Sequence, residues 1–243
     1  MPPSVPAIDS LKLSDIHVWH ATLSLTPEAL ADAARLLPKA EREKTGLVAS
    51  VAQRARLTLS RAWVRAILSG YLERPAPELT IRRSGRGKPI VVVDADQTGL
   101  FFSVSHSGEH MLVAVTRADD VGIDLERLTR IVEPERIAVR FYSRPECEAL
   151  LSLEPAMRAD AFFRVWVRKE AVVKALGMGI TAAFEMFSVS QGREEQVEVD
   201  VSRVLEGGRE RLWVRVVDVG RVDYLAAVAF GQPDATVRYF EWN

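Results

Sequence analysis

The stretch Val121-Gly122-Ile123-Asp124-Leu125-Glu126 sets two carboxylates two positions apart. On a strand, alternation turns Asp124 and Glu126 to one face and buries Leu125 behind them. Like charges that close need a cation or a raised pKa, and paired carboxylate oxygens suit a hard ion such as Mg²⁺. Read alone, the pattern is equally two exposed acids at a strand end. A second grouping lies in Trp166-Val167-Arg168-Lys169-Glu170-Ala171-Val172-Val173-Lys174, where Trp166, Glu170 and Lys174 recur at every fourth position. On a helix they share one surface, away from an apolar stripe of Met157, Ala161, Val165, Val172 and Leu176. That surface is either a working acid, cation and aromatic, or an ion pair contributing about 0.3–0.5 kcal/mol beside a packing tryptophan.

Ser103-Val104-Ser105-His106-Ser107-Gly108 runs a strand into hydroxyls, an imidazole and a glycine that lets a ligand approach the backbone. It reads as a phosphate seat or as a solvated turn. Arg82, Arg83, Arg86 and Lys88 crowd around Gly85, Gly87 and Pro89, a cationic loop open to the same two readings. His17, His20 and His110 stand in strand-like sequence without ligand spacing and read as structural. The loop lacks Walker spacing, and no Cys/His zinc pattern, Gly-x-Gly-x-x-Gly after a strand or Gly-x-Ser-x-Gly elbow is present, which removes the main support for dehydrogenase and serine-hydrolase readings.

The elements that must position these groups follow from periodicity. Residues 16–25 read as a strand, and Thr26-Pro27-Glu28 opens a short helix. A long helix is predicted over 47–68, with Val48, Val51, Ala55, Leu59, Ala62 and Ala66 on its apolar stripe. Arg54, Arg61 and Arg65 lie opposite as solvated face, and Arg56 sits at the edge, placed to reach a groove. Strands are predicted at 90–93, 101–105, 111–116 and 121–126, and helices near 134–141, 145–151 and 155–176, the last closed by Gly177 and Gly179. Alternating segments at 184–190, 196–201, 212–217 and 224–230 close the chain. The pattern is α+β, with two similar lobes divided near Arg117–Asp120: 1–117 and 118–243, each a small sheet on one long helix.

The first lobe carries 15 basic and 11 acidic residues, net +4, and the second 17 and 22, net −5. Over all 243 residues the formal charge is −1, so any anion site is local and bulk attraction to nucleic acid or membrane is absent. Apolar residues at 48% and charged residues at 27% describe an ordinary soluble domain. A lone cysteine, Cys147, and an N-terminus without a signal-peptide pattern lead to the expectation of a cytoplasmic protein.

In order, the cationic loop, the Ser-His turn, the Asp-x-Glu strand and the Trp-x-x-Lys-Glu-x-x-x-Lys helix resemble the 4'-phosphopantetheinyl transferases of the surfactin-synthetase-activating type, two-lobed and monomeric. Phe-Tyr-Ser-x-x-Glu from Phe141 to Glu146 adds to the likeness. The resemblance implies a pseudo-twofold between lobes whose sheets are mainly antiparallel, with coenzyme A lying between them. Its phosphopantetheine arm passes to a serine of an acyl or peptidyl carrier protein, in settings such as secondary-metabolite biosynthesis, and adenosine 3',5'-bisphosphate leaves. Asp124, Glu126 and Glu170 become ligands of Mg²⁺, with Glu170 also the base and Lys174 neutralising the leaving phosphate. Lys44, Arg56, Arg86, Gly87, Lys88, Pro89, Ser105, His106, Lys169 and Lys174 become coenzyme A contacts. Glu41 stands where some relatives carry a second lysine. Two rival readings are a metal-dependent phosphodiesterase, disfavoured because Glu126 is followed by Arg127 rather than a strand lysine, and a non-catalytic coenzyme A or carrier-binding module.

Overall fold

The computed structural model describes residues 5–85, 87–93, 96–118, 121–128, 133–178, 184–204 and 207–242. The first half runs β1 (Asp15–Thr22), α1 (Pro27–Leu36), α2 (Lys39–Gly46), α3 (Val51–Leu72), β2 (Thr80–Arg83), β3 (Pro89–Val93), β4 (Asp96–Ser107) and β5 (His110–Thr116). The second runs β6 (Val121–Arg127), α4 (Pro134–Phe141), α5 (Arg144–Ser152), α6 (Pro155–Leu176), β7 (Gln196–Asp200), β8 (Arg211–Val216), β9 (Tyr224–Phe230) and β10 (Thr236–Trp242). Two sheets result, ordered β10-β1-β5-β4-β3-β2 and β6-β9-β8-β7. The expected two-lobed α+β architecture is present, with a 22-residue helix in each half.

Three apolar clusters order the layers. Trp19, Leu59, Leu68, Phe102 and Val113 pack the first sheet on α3. Phe162, Val165, Val172, Leu212 and Ala229 pack the second sheet on α6. The opposite faces meet each other through Ile16, Val18, Leu112 and Ala114 against Ile123, Leu125, Ala226 and Val228. The sequence is therefore helix, sheet, sheet, helix, and alternation along each strand supplies both faces.

Local chemistry sets the helix ends. Thr26 accepts a hydrogen bond from the Ala29 N–H to start α1, Ser50 does the same with Gln53 for α3, and Gly177 at φ 71° closes α6. Because Ser50 is the cap, α3 begins later than predicted, and Leu47 and Val51 are exposed. Met157, expected in the stripe of α6, is exposed as well.

Three expectations are corrected. Arg65 is buried, not solvated: its guanidinium donates to Glu41 and to the carbonyls of Ala76 and Leu79, because α2 and the turn at Ala76–Glu78 cover that side of α3. Arg82 and Arg83 lie in β2 rather than in a loop. Phe184–Met186 forms a 3₁₀ turn, not a strand, with Phe184, Phe187 and Val189 sunk into the second core. From the second half, β10 pairs parallel with β1 in register from Asp15↔Thr236 to Ala21↔Trp242 and so edges the first sheet. Aromatic contact holds it there: Phe240 stacks on Trp19 at 4.6 Å and Trp242 meets the same indole edge-on at 5.9 Å.

Candidate active site

β6 is an edge strand of the second sheet and lies along α6. Gly122 makes that approach possible: a Cβ there would overlap the Ala171 carbonyl oxygen and the Ala175 nitrogen of α6. Alternation then places Asp124 and Glu126 on the same side as Gly122, while Val121, Ile123 and Leu125 fill the inter-sheet core. From α6, Glu170 and Lys174 reach the same place, one helical turn apart.

The groups are in contact. The Lys174 Nζ donates to Asp124 Oδ1 at 2.7 Å, to Ser105 Oγ at 3.0 Å and to the Ile123 carbonyl at 3.1 Å. The Ser105 hydroxyl donates to Asp124 Oδ1 at 2.8 Å, and that of Ser107 to Glu126 Oε2 at 3.1 Å. Asp124 and Glu170 are nearly fully buried, and the second oxygen of Asp124, Oδ2, is buried without a hydrogen-bond partner. Burial first, then the charge of Asp124, pushes the Glu170 carboxyl up to about 7; Lys174 opposes this and Glu126 adds to it. Burial and Asp124 also raise Glu126, against hydrogen bonds from Ser107 and Trp166 and the charge of Lys174. Three carboxylates thus share one field with the Lys174 ammonium. Among the described residues no three His, Cys, Asp or Glu side chains already form a metal cage. The donor set is all hard, anionic oxygen with one orphaned buried atom, which fits a divalent cation of the Mg²⁺ kind.

Beside these groups a cavity of about 450 Å³ opens between the lobes. Gly87, Lys88 and Pro89 form one wall, and Lys174, Gly177 and Met178 the other. Lys88 spans the gap, its Nζ donating to the Ala175 carbonyl at 3.1 Å, and Arg83 adds a third cation to the lining. The basic half supplies one side and the end of α6 the other, so the cavity suits an anion.

Comparison with known proteins bears directly on this arrangement. A family model described as the 4'-phosphopantetheinyl transferase superfamily matches residues 120–229, and one described as 4'-phosphopantetheinyl transferase, N-terminal, matches 19–118. The 4'-phosphopantetheinyl transferase HetI of Nostoc sp. is 34% identical over 177 residues, covering 73% of this chain and 75% of the relative. The chain belongs to the 4'-phosphopantetheinyl transferase family. It is also 27% identical to the 4'-phosphopantetheinyl transferase Sfp of Bacillus subtilis over 179 residues, 74% of this chain and 75% of that one. The L-aminoadipate-semialdehyde dehydrogenase-phosphopantetheinyl transferase of Mus musculus is 26% identical over 220 residues, 84% and 70% of the two chains.

In this phosphopantetheinyl transferase, the residues singled out from sequence fall into groups. Asp124, Glu126, Glu170, Lys174 and Ser105 come together, and Gly87, Lys88 and Pro89 face Lys174 across the cavity. Lys44 on α2, Arg56 on α3 and His106 near the end of β4 are exposed and outside the cavity lining; alternation turns His106 to the face opposite Ser105. Arg86 lies outside the described residues. Lys169 is not brought to the cleft. One position from Glu170 around the helix, it is fully buried, 2.8 Å from Glu146 Oε2, with its Nζ donating to the Phe187 carbonyl at 2.6 Å. Glu146 also receives Ser143 N–H and Oγ–H as a capping box on α5, so the Phe-Tyr-Ser-x-x-Glu stretch is a structural clamp on Lys169. Glu41 is likewise structural, as the partner of Arg65. Sequence reading placed Ser103 and Ser107 in the Ser-His turn and Arg83 in the cationic loop without giving any of them a site role, and it missed Met178; for the serines the signal was present in the period-two run 103, 105, 107.

Proposed function

We propose that this transferase moves the 4'-phosphopantetheine arm of coenzyme A to a serine of an apo carrier protein, releasing adenosine 3',5'-bisphosphate in a Mg²⁺-dependent reaction. The observation that carries the reading is the junction of the buried Asp124, Glu126, Glu170 and Lys174 cluster with a cationic cavity shared by both lobes. Asp124, through its unpartnered Oδ2, with Glu126 and Glu170 would hold the ion. When bound, Mg²⁺ supplies charge neutralisation at the pyrophosphate. Lys88, with Arg83, binds the anionic end of the substrate. The serine oxygen forms a bond to the phosphorus that carries the pantetheine arm, and the bond from that phosphorus to the bridging oxygen breaks. Glu170 takes the serine proton, and Lys174 stabilises the oxygen that leaves. Both walls of the cavity come from one chain, which supports a monomer as the working unit, and the cytoplasm is the proposed location.

The test is incubation of the protein with Mg²⁺, coenzyme A and a panel of apo carrier proteins, followed by mass spectrometry for the arm and chromatography for adenosine bisphosphate. Asp124→Ala and Glu170→Ala should each abolish conversion while retaining the native circular dichroism spectrum. Ordinary conversion by either variant would overturn the assignment.

A further inference from the structure

As an edge strand, β6 has one row of backbone groups without a ladder partner in its own sheet, and that row faces β4. β4 answers with side chains. Ser103, Ser105 and Ser107 occupy alternate positions on one face, and each reaches β6: Ser103 Oγ accepts the Ile123 N–H at 3.1 Å, Ser105 donates to Asp124, and Ser107 Oγ accepts the Arg127 N–H at 3.0 Å. Ser107 alone of the three does both things at once. Its oxygen is fixed by the Arg127 amide, so its proton is directed to Glu126 Oε2. The backbone behind it is fixed too: Gly108 turns at φ 58°, and the Tyr224 hydroxyl stands 2.5 Å from where a Cβ would be. A rigid hairpin from the first lobe therefore aims one hydroxyl at a carboxylate of the second.

We propose that Ser107 is a positioning residue for Glu126, orienting that carboxylate for the divalent ion across the lobe boundary. The inference rests on the metal role of Glu126 proposed above. Removing the hydroxyl takes the Ser107 donor from Glu126 Oε2, leaving the Trp166 hydrogen bond, and takes the Ser107 acceptor from the Arg127 N–H; loss of such an outer partner typically weakens metal affinity by about ten- to a hundredfold. Lys88 and the cavity wall are untouched by the change.

The test measures Mn²⁺ binding to the substrate-free protein by electron paramagnetic resonance, together with transfer kinetics as a function of Mg²⁺ and of coenzyme A. Ser107→Ala should bind Mn²⁺ about tenfold more weakly and need correspondingly more Mg²⁺ for half-maximal rate, with the KM for coenzyme A unchanged at saturating Mg²⁺. Ser107→Thr, which restores the hydroxyl, should return Mn²⁺ affinity towards that of the parent. Wild-type Mn²⁺ affinity in a folded Ser107→Ala overturns the proposal, as does an equal loss of metal and coenzyme A binding. If the alanine variant does not fold, Ser107→Cys carries the same comparison with a weaker donor. A parent protein that binds no Mn²⁺ and transfers without a divalent ion sinks the underlying metal reading instead, so the two failures are distinguishable.

Discussion

Glu170 concentrates the cost of assembling the site. Its carboxyl is buried beside two others, and the folded chain holds its proton up to about 7, against an ordinary value of 4.5. Between those two values the native state carries a proton that the unfolded chain has lost, so stability falls as pH rises from about 4.5 to 7. The full difference corresponds to about 3 kcal/mol at pH 8. Metal-free protein, kept in chelator, should therefore have a higher urea midpoint at pH 5.5 than at pH 8. Glu170→Gln cannot ionise and should flatten that slope, leaving the contribution of Glu126 in the same direction and those of His17 and His110, lowered by burial, in the opposite one. A metal-free midpoint that rises towards pH 8, or an unaltered slope in the glutamine variant, would refute this account of the carboxylate cluster.

At the level of elements, what matters is how closely a strand lies on a helix. Gly122 is the point of closest approach between β6 and α6, and a methyl there meets backbone, which cannot rotate away. Gly122→Ala should destabilise by about 3 kcal/mol, the upper end of ordinary overpacking, and should abolish transfer by parting Asp124 from Lys174. Full activity with an unchanged melting temperature would show that the contact is dispensable. The contrast with what could be read from sequence is instructive. Asp124 and Glu126 were legible because alternation along β6 is strict and their neighbours are apolar, and Trp166, Glu170 and Lys174 because four-residue spacing survives in any helix. Lys169, Arg65 and Glu41 were not, since a charged side chain off the apolar stripe looks the same whether it meets solvent, a ligand or an opposite charge in another segment. Phe184–Ser190 alternates like a strand, yet its backbone carbonyls are taken by Lys169 instead of a ladder. β10 escaped notice because its burial comes from aromatic contacts with β1, more than 200 residues earlier in the chain.

The whole molecule is held by a strand exchange and a shared core. A basic half provides Lys88 and Arg83 and an acidic half the three carboxylates, so on the proposed mechanism activity depends on the two staying docked. The inter-sheet cluster from Ile16 to Ala235 joins them, and β10 returns from the second half to edge the first sheet. The inter-sheet core belongs to both halves at once, which makes one cooperative transition the expected behaviour. Deleting residues 236–243 removes Phe240 and Trp242 from Trp19, which is only 1% exposed, and uncovers the edge of β1. Loss of buried aromatic side chains costs about 3–5 kcal/mol each, less where they are partly exposed, so the truncated chain should melt well below the parent. The instructive comparison uses two single-tryptophan proteins, one keeping Trp19 in the first core and one keeping Trp166 on α6. In the parent background both probes should report the same melting temperature. On truncation both should fall together, although the strand removed, β10, belongs to the first sheet. If Trp166 held its original midpoint while Trp19 lost its own, the halves would be independent units and the inter-sheet core only a contact surface.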